Sequence, residues 1–434
     1  MTLRPSLLAP IAALAAALIA APAVAAPKAD PDKAVAKLVA SPAFKAAAAK
    51  LDADYDRTIA DVITLTEIPA PPFKEAARAK AYLEMLKAHG LTNVEMDAEG
   101  NVMGVRPGTV TKGKGPFVVL AAHLDTVFPE GTDVKVRREG TRLMAPGIGD
   151  DTRSLATLLA YMRALDAAKI STKSDILFVG NVGEEGPGDL RGTRFLFNKG
   201  PYKGRISAFF SMDGSDPYRI VDRGVGSKRY RVTFKGPGGH SYGAFGIVNP
   251  MAAMAKAVTD LYAVQTTKEP KTTYAASVTG GGTSVNSIPN SVFMEFDMRS
   301  ESAAELAKLD QTLIGILDKA VEGENAARST RAGKVSYEAK VIGERPAGTT
   351  DPKSDIVTLT AAAITALGFK PEHQDSSTDS NVPMSLGIPA VTIGSGGKAG
   401  RAHALDEWID IEKGESVKGM QVGLAALLAV AGTN

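Results

Sequence analysis

Cysteine is missing altogether from this 434-residue chain, and histidine occurs only five times. Without a thiol there is no disulfide, no thiolate zinc site, no Cys-held iron–sulfur cluster and no cysteine nucleophile. Any metal ion must therefore be held by imidazole and carboxylate. Aromatic residues are scarce at 6%, which leaves no obvious stacking platform for nucleobases. A surplus of one charge sign is absent too. Lys and Arg number 50 against 48 Asp and Glu, a formal net charge of +2, so the chain lacks the electrostatic footprint of a nucleic-acid binder. What remains is average: 44% apolar and 23% charged residues, the profile of a globular protein. At roughly 150 residues per domain, the length suggests two or three domains.

The only low-complexity stretch is at the start. Residues 1–26, MTLRPSLLAPIAALAAALIAAPAVAA, carry a single charge, Arg4, followed by an Ala/Leu-rich run. Ala23-Val24-Ala25 fits the small-x-small cleavage rule, so residues 1–25 are expected to be a cleaved signal peptide. Pro10, Pro22 and the many alanines make a poor spanning helix. The mature protein is expected to be exported, periplasmic or secreted, without a stable membrane anchor.

Residues 30–66 show helical apolar spacing, Pro69-Ala70-Pro71-Pro72 breaks it, and 73–89 form a second amphipathic helix ended by Gly90. Continuous apolar runs then alternate with helical segments. The runs are Phe117–Ala122, Ile176–Asn181, Ile206–Met212 and Ala390–Ile393, with helices expected over 151–168 and 192–199. Such runs indicate a mostly parallel sheet with helices on both faces. Between them, residues 228–345 read β-α-β-β-α-β, the ferredoxin-like split pattern. The expected fold is thus an α/β domain (27–227 and 346–434) interrupted by an inserted ferredoxin-like α+β domain.

In open α/β sheets, ligands bind beyond the carboxyl ends of the strands. Here those ends carry acids and histidine. His123 and Asp125 follow the first run, Glu184 and Glu185 the second, and Asp213 the third. Asp150 and Asp151 open a helix, and His403 follows the fourth run. Singly, an Asp at a helix start is usually a cap and paired acids are usually solvated. Jointly they make a nitrogen–oxygen donor set able to hold two divalent ions.

Ala122-His123-Leu124-Asp125-Thr126-Val127, Gly149-Asp150-Asp151, Gly183-Glu184-Glu185-Gly186, Ser211-Met212-Asp213-Gly214 and Gly400-Arg401-Ala402-His403 resemble, in order and spacing, the M20 co-catalytic metallopeptidases. That group includes carboxypeptidase G2, peptidase T and aminoacylase-1. The resemblance implies a hydrolase of small peptides or N-acyl amino acids with two zinc ions, for which cobalt or manganese can substitute. It implies that Asp150 bridges the metals, with His123 and Asp213 on one and Glu185 and His403 on the other. Glu184 would be the general base, and Asp125 would orient His123. Which of Asp150 and Asp151 bridges stays open, because Thr152-Arg153 follow where the family often has Lys or Asn. The inserted domain would supply substrate contacts through His240, Asn286 and Arg299, and would form a homodimer in which His240 reaches the partner's site. Gly394, opening the Gly394–Gly397 run, would let backbone approach the substrate.

Two other readings exist. Gly239-His240-Ser241-Tyr242-Gly243 matches the nucleophile elbow of serine hydrolases, with Asp379 and His403 as partners. However, Asn249-Pro250 places the next helix about eight residues too late, and the acids are left unexplained. A non-catalytic peptide- or metal-binding protein would not need Glu184.

Overall fold

A computed structural model describes residues 30–433, so the leader expected at 1–25 lies outside the described residues. The helical stretch expected over 30–66 is three helices: α1 (Pro31–Ala40), α2 (Pro42–Ala53) and α3 (Tyr55–Thr66). The first break is local chemistry. Ser41 is extended, its Oγ accepts from the Phe44 N–H at 3.2 Å, and Pro42 opens α2 without an N–H to lose. Helix α4 (Ala76–Lys87) begins later than expected because Phe73 adopts φ 64, outside the helical region.

Six strands of the first sheet follow: β1 (Thr92–Met96), β2 (Val102–Arg106), β3 (Phe117–His123), β4 (Asp175–Asn181), β5 (Ile206–Met212) and β6 (Arg219–Gly224). Helix α5 (Arg153–Ala167) lies between β3 and β4, and α6 (Arg191–Asn198) between β4 and β5. The chain then leaves for a second sheet of β7 (Gly226–Lys235), β8 (Thr272–Gly281), β9 (Ser291–Ser300) and β10 (Ser336–Arg345). Two helices, α7 (Pro250–Tyr262) and α8 (Ala303–Ala327), cover it. It returns through α9 (Asp355–Ala366), β11 (Glu372–Ser376), α10 (Asn381–Ser385), β12 (Ala390–Ile393) and α11 (Lys413–Ala431).

The first sheet runs β1-β2-β4-β3-β5-β12-β6, with β11 pairing in parallel to β6. Its centre, β4-β3-β5-β12, is parallel. Its flanks are antiparallel, at β1–β2, β2–β4 and β12–β6. The sheet is therefore mixed: its parallel centre is covered on both faces, and a further parallel pairing, β11 with β6, lies at a largely exposed edge. Strand β3 shows why the runs are continuously apolar. Val118, Leu120 and Ala122 join one core, built with helices α1–α5, α9 and α11; Phe117, Val119 and Ala121 join a second core with Leu196, Phe197, Val382 and Met384. Successive side chains point to opposite faces, so burial on both removes the polar alternation.

The second sheet has the order β8-β9-β7-β10, antiparallel throughout, the ferredoxin-like arrangement. Its core is separate: Tyr230, Val232, Phe234, Val292, Phe296 and Met298 pack on Leu306, Leu309, Leu313 and Leu317 of α8. No described helix is long and apolar enough to cross a membrane.

Candidate metal centre and cleft

The parallel strands β3, β4, β5 and β12 bring their carboxyl ends to one edge, and there the acids and histidines meet. His123 closes β3. Its Nδ1 lies 3.1 Å from the Asp125 carbonyl oxygen and its Nε2 2.9 Å from Asp150 Oδ1. A carbonyl only accepts, so Nδ1 carries a proton there, and Nε2 is the ring nitrogen turned toward the cluster. The other Asp150 oxygen, Oδ2, is 3.2 Å from His403 Nε2, which is also 3.1 Å from Glu185 Oε1. Asp150 thus stands between the two histidines with one oxygen toward each. The donor atoms of His123, Asp150 and Glu185 lie within 4.8 Å of one another, as do those of His123, Asp151 and Asp213.

Neither aspartate caps α5. Both have non-helical backbone angles, and no side-chain cap is made there. Asp151 turns inward: its Oδ2 accepts the His123 N–H at 3.0 Å, and its buried Oδ1 has no partner. Asp125 does more than face the histidine ring. Its carboxylate is 3.6 Å from Nδ1, while Oδ1 and Oδ2 accept the Glu184 and Glu185 N–H groups at 3.0 and 2.8 Å. One buried aspartate therefore fixes both His123 and the paired glutamates. Gly183 precedes them at φ 69, where a Cβ would come within 2.5 Å of Arg191.

Several anchors of this edge are not evident from the sequence. Glu407, almost wholly buried, accepts from the N–H groups of Gly147, Gly149 and Asp150 at 2.8, 2.7 and 2.8 Å. Arg345, at the end of β10, donates from Nη1 to Glu184 Oε1 at 3.0 Å and from Nη2 to the Glu184 carbonyl. Asp379 accepts from Asn181 and Thr193 beneath the edge. The sequence marks none of them for this role: Glu407 and Arg345 carry no local signal, and Asp379 entered only as a partner in the serine-hydrolase reading.

Electrostatics make this a donor set short of positive charge. Burial raises the pKa of Glu184 well above the carboxylate range, with Arg345 opposing and Glu185 reinforcing it. Burial likewise raises Asp151, Glu185 and Asp213, reinforced in each by a neighbouring aspartate. Asp150 is lowered instead, because hydrogen bonds from His123 and His403 outweigh its burial. His403 is pushed up to about 10 by Asp150 and Glu185. For His123, burial opposes charge but Asp151, Asp125 and Asp150 prevail and raise it well above normal. Closely packed carboxylates that must borrow protons are what a divalent cation relieves. The residues present therefore fit a metal centre.

The centre opens into a cleft of about 470 Å³ whose lining includes Asp150, Glu184, Glu185, Asp213 and His403 together with Arg219, Arg229, Arg299 and Arg345. Of the four expected substrate contacts, Arg299 lies in this cleft. His240 and Asn286 do not line it. They sit together on an exposed part of the second domain, where the Ser241 N–H donates to the Asn286 carbonyl at 2.9 Å. The His240 Nδ1 accepts from the N–H groups of Tyr242 and Gly243, both at 3.2 Å, which leaves Nε2–H as a free donor. Gly394 is needed sterically, since a Cβ there would lie 2.3 Å from the Asp216 carbonyl oxygen. The serine-elbow grouping is not assembled. Turns rather than a helix follow His240 until Pro250, Asp379 is bonded to Asn181 and Thr193, and His403 faces Asp150 and Glu185.

The model of peptidase family M20/M25/M40 matches residues 119–429. A protein of Pyrococcus abyssi named a LysW-lysine/LysW-ornithine hydrolase is 34% identical over 131 residues, 30% of this chain and 34% of that protein. A Pyrococcus furiosus protein of the same name is 35% identical over 122 residues, 28% of this chain and 32% of that protein. The match spans about a third of these relatives' length. Among solved structures, the aminopeptidase PepT of Bacillus cereus superposes with a TM-score of 0.71 at 20% identity, covering 87% of this chain and 99% of that one. A dinuclear metal-binding peptidase of Bacillus subtilis superposes at 0.61 with 17% identity, covering 87% and 99%. At these identities the likeness shows the fold.

Proposed function

Because the chain belongs to peptidase family M20/M25/M40, we propose that it is an exported di-zinc hydrolase of peptide or amide bonds in small peptides or N-acyl amino acids. The observation that carries this reading is Asp150, placed between His123 and His403 with one oxygen toward each. In this reading Asp150, His123 and Asp213 would hold one ion, and Asp150, Glu185 and His403 the other. Zinc held there would supply a water of pKa about 7 and a Lewis acid to polarise the scissile carbonyl.

The chain's own groups do the rest. Glu184 takes the proton of the attacking water on its carboxylate and delivers it to the leaving nitrogen. Arg345 holds Oε1 of Glu184, so the carboxylate keeps one orientation through both transfers. Asp125 keeps His123 as the Nδ1–H tautomer and anchors the 184–185 backbone. Arg299 binds the substrate's terminal carboxylate. His240, with Nε2–H free, donates to the tetrahedral oxyanion of a partner copy joined through the 228–345 domain. A signal peptide at 1–25 would deliver the protein to the periplasm or beyond.

The test is hydrolysis of a panel of dipeptides, tripeptides and N-acyl amino acids before and after chelation. Activity is expected to vanish with the metal and to return with Zn²⁺ or Co²⁺. Full activity after complete metal removal refutes the reading. So does a metal-loaded Glu184→Gln protein of undiminished rate.

A further inference from the structure

The turn that carries Glu184 and Glu185 is backed by an arginine that lies outside the cleft. Gly183 stands at φ 69, and the space its side chain would fill is taken by Arg191. A Cβ there would lie 2.5 Å from Arg191 Cγ, 2.7 Å from Nε and 3.0 Å from Cδ. The far end of Arg191 is clamped. Nη1 donates to the Glu99 carbonyl at 3.1 Å and to Glu99 Oε1 at 2.9 Å, and Nη2 lies 2.7 Å from Glu75 Oε2. Glu99 belongs to the turn between β1 and β2, and Glu75 precedes α4. The other Glu75 oxygen accepts the Phe73 N–H at 3.1 Å. Glu75 is buried, so its grip on the guanidinium is not that of a solvated surface pair.

The stem of Arg191 therefore cannot retreat from Gly183. Gly188 bears on the same residue, since a Cβ on Gly188 would lie 2.6 Å from the Gly183 Cα. Beside Arg191, the Gly192 N–H donates to the Val182 carbonyl at 2.9 Å, which laces the start of α6 to the end of β4. Asp125 holds the Glu184 and Glu185 N–H groups. Gly183 is thus caught between Arg191 and Gly188, and the next residue along the chain is Glu184. Two salt bridges alone do not require this packing. Arg191 Nε is buried against Gly183 without an acceptor, an arrangement that costs about 1–3 kcal/mol. An arginine present only to neutralise Glu75 and Glu99 would turn that nitrogen to water or to one of their oxygens.

We infer that Arg191 is a positioning residue for the glutamate turn: by occupying the place of a Gly183 side chain, it sets where the Glu184 carboxylate stands. This rests on the hydrolase reading above, with Glu184 as the base. Arg191 acts only through the Gly183 backbone. A reacting group displaced by about 1 Å can cost about a hundredfold in rate. Arg191 also lines a separate hollow of about 350 Å³ with Phe73, Ala79 and Met96. Phe73 and Met96 are exposed there, so a small cation can enter from solvent.

The experiment compares wild type with Arg191→Ala and Arg191→Lys. In metal-free protein, amide exchange at Glu184 and Glu185 should quicken at least about tenfold in Arg191→Ala, while residues 118–122 keep their wild-type rates. Unchanged exchange at 184–185, or exchange quickened equally throughout the sheet, overturns the inference. In zinc-loaded protein, kcat per zinc-loaded molecule on the best substrate of the panel should fall at least about tenfold, with KM within about threefold of wild type, because the cleft itself is intact. Ethylguanidinium, a match for the missing side-chain end, should raise kcat of Arg191→Ala at least about threefold and leave wild type unchanged. A kcat within about twofold of wild type, or a loss that ethylguanidinium does not relieve, overturns the inference while leaving the hydrolase reading intact. Arg191→Lys keeps the stem and loses the fork, so its kcat should fall between the two. It replaces Arg191→Ala in both measurements if that protein does not fold, and wild-type values in it then overturn the inference. If no substrate turns over, the hydrolase reading fails, and the exchange measurement alone decides whether Arg191 holds the turn.

Discussion

Replacing Glu407 with glutamine tests how the turn carrying Asp150 is held. Glu407 spends Oε1 on the Gly149 and Asp150 N–H groups and Oε2 on that of Gly147. A glutamine amide can keep the first pair with its carbonyl oxygen. Its NH₂ group then confronts the Gly147 N–H, donor against donor, and a buried N–H is left unpaired. That costs about 1–3 kcal/mol. Part of the cost is offset, because Glu407, raised to about 7 by burial and by Asp150, no longer repels that aspartate. The expected net loss is about 1–2 kcal/mol in metal-free protein. The larger effect should be on metal. Moving Asp150 misaligns the carboxylate between the two histidines, and loss of such an orienting partner weakens metal binding about 10–100-fold. Urea denaturation of the metal-free protein measures the first quantity, and competition with a chromophoric chelator measures Zn²⁺ affinity. Stability within about 0.5 kcal/mol of wild type together with unchanged affinity would refute the assignment.

Three further outcomes are expected. Arg345→Met leaves the buried Glu184 carboxylate without its cation, and should cost about 3–5 kcal/mol by denaturant melt and lower kcat; a loss under about 1 kcal/mol would show that the pair is not buried in solution. Asp175 accepts the N–H groups of Gly108, Gly113 and Gly115, each at 2.7 Å. Burial opposes its ionisation but these bonds, with Thr111, lower its pKa. A depressed carboxyl stabilises the fold above its unfolded pKa of about 3.9 and loses that contribution as pH falls through the lower folded value. The gap between wild type and Asp175→Asn should therefore be widest at neutral pH and close below about pH 4; a gap independent of pH would contradict this. Leu313→Ala should destabilise by about 2–5 kcal/mol. Because Leu313 belongs to the second domain's own core, faster amide exchange should be confined to 226–345, and exchange spreading through the first sheet would argue for a shared core.

Much of the fold was legible because burial on both faces leaves a plain record. The continuous runs at 117–122, 176–181, 206–212 and 390–393 match β3, β4, β5 and β12. In β9, which has one covered face, Val292, Phe296 and Met298 join the second domain's core. Less legible was whatever depends on partners far along the chain. The antiparallel flanks of the first sheet could not be told from parallel ones, since a strand's apolar count does not reveal its neighbour's direction. The break between α1 and α2 was readable in Ser41-Pro42 but is masked by helical spacing on either side.

The candidate site divides along the same line. Residues with scarce chemistry stood out in the sequence. With no cysteine and five histidines, a metal donor set could only be His, Asp and Glu, and strand and helix ends narrowed the choice to His123, Asp125, Asp150, Asp151, Glu184, Glu185, Asp213 and His403; the family resemblance assigned roles among them and left Asp150 or Asp151 open as the bridge. What the sequence by itself determined was therefore the element types and the donor chemistry, because both follow from local pattern and composition. Tertiary structure alone decided how common residues are used. Arginine, aspartate and glutamate are abundant on any surface, and nothing local separates Arg191 or Glu407 from a solvated neighbour. Only the meeting of α4, the β1–β2 turn and α6 sets Glu75 and Glu99 beside Arg191, and only the return of the chain beyond β12 brings Glu407 under the Asp150 turn. Their roles come from distance through space, which a linear pattern does not carry.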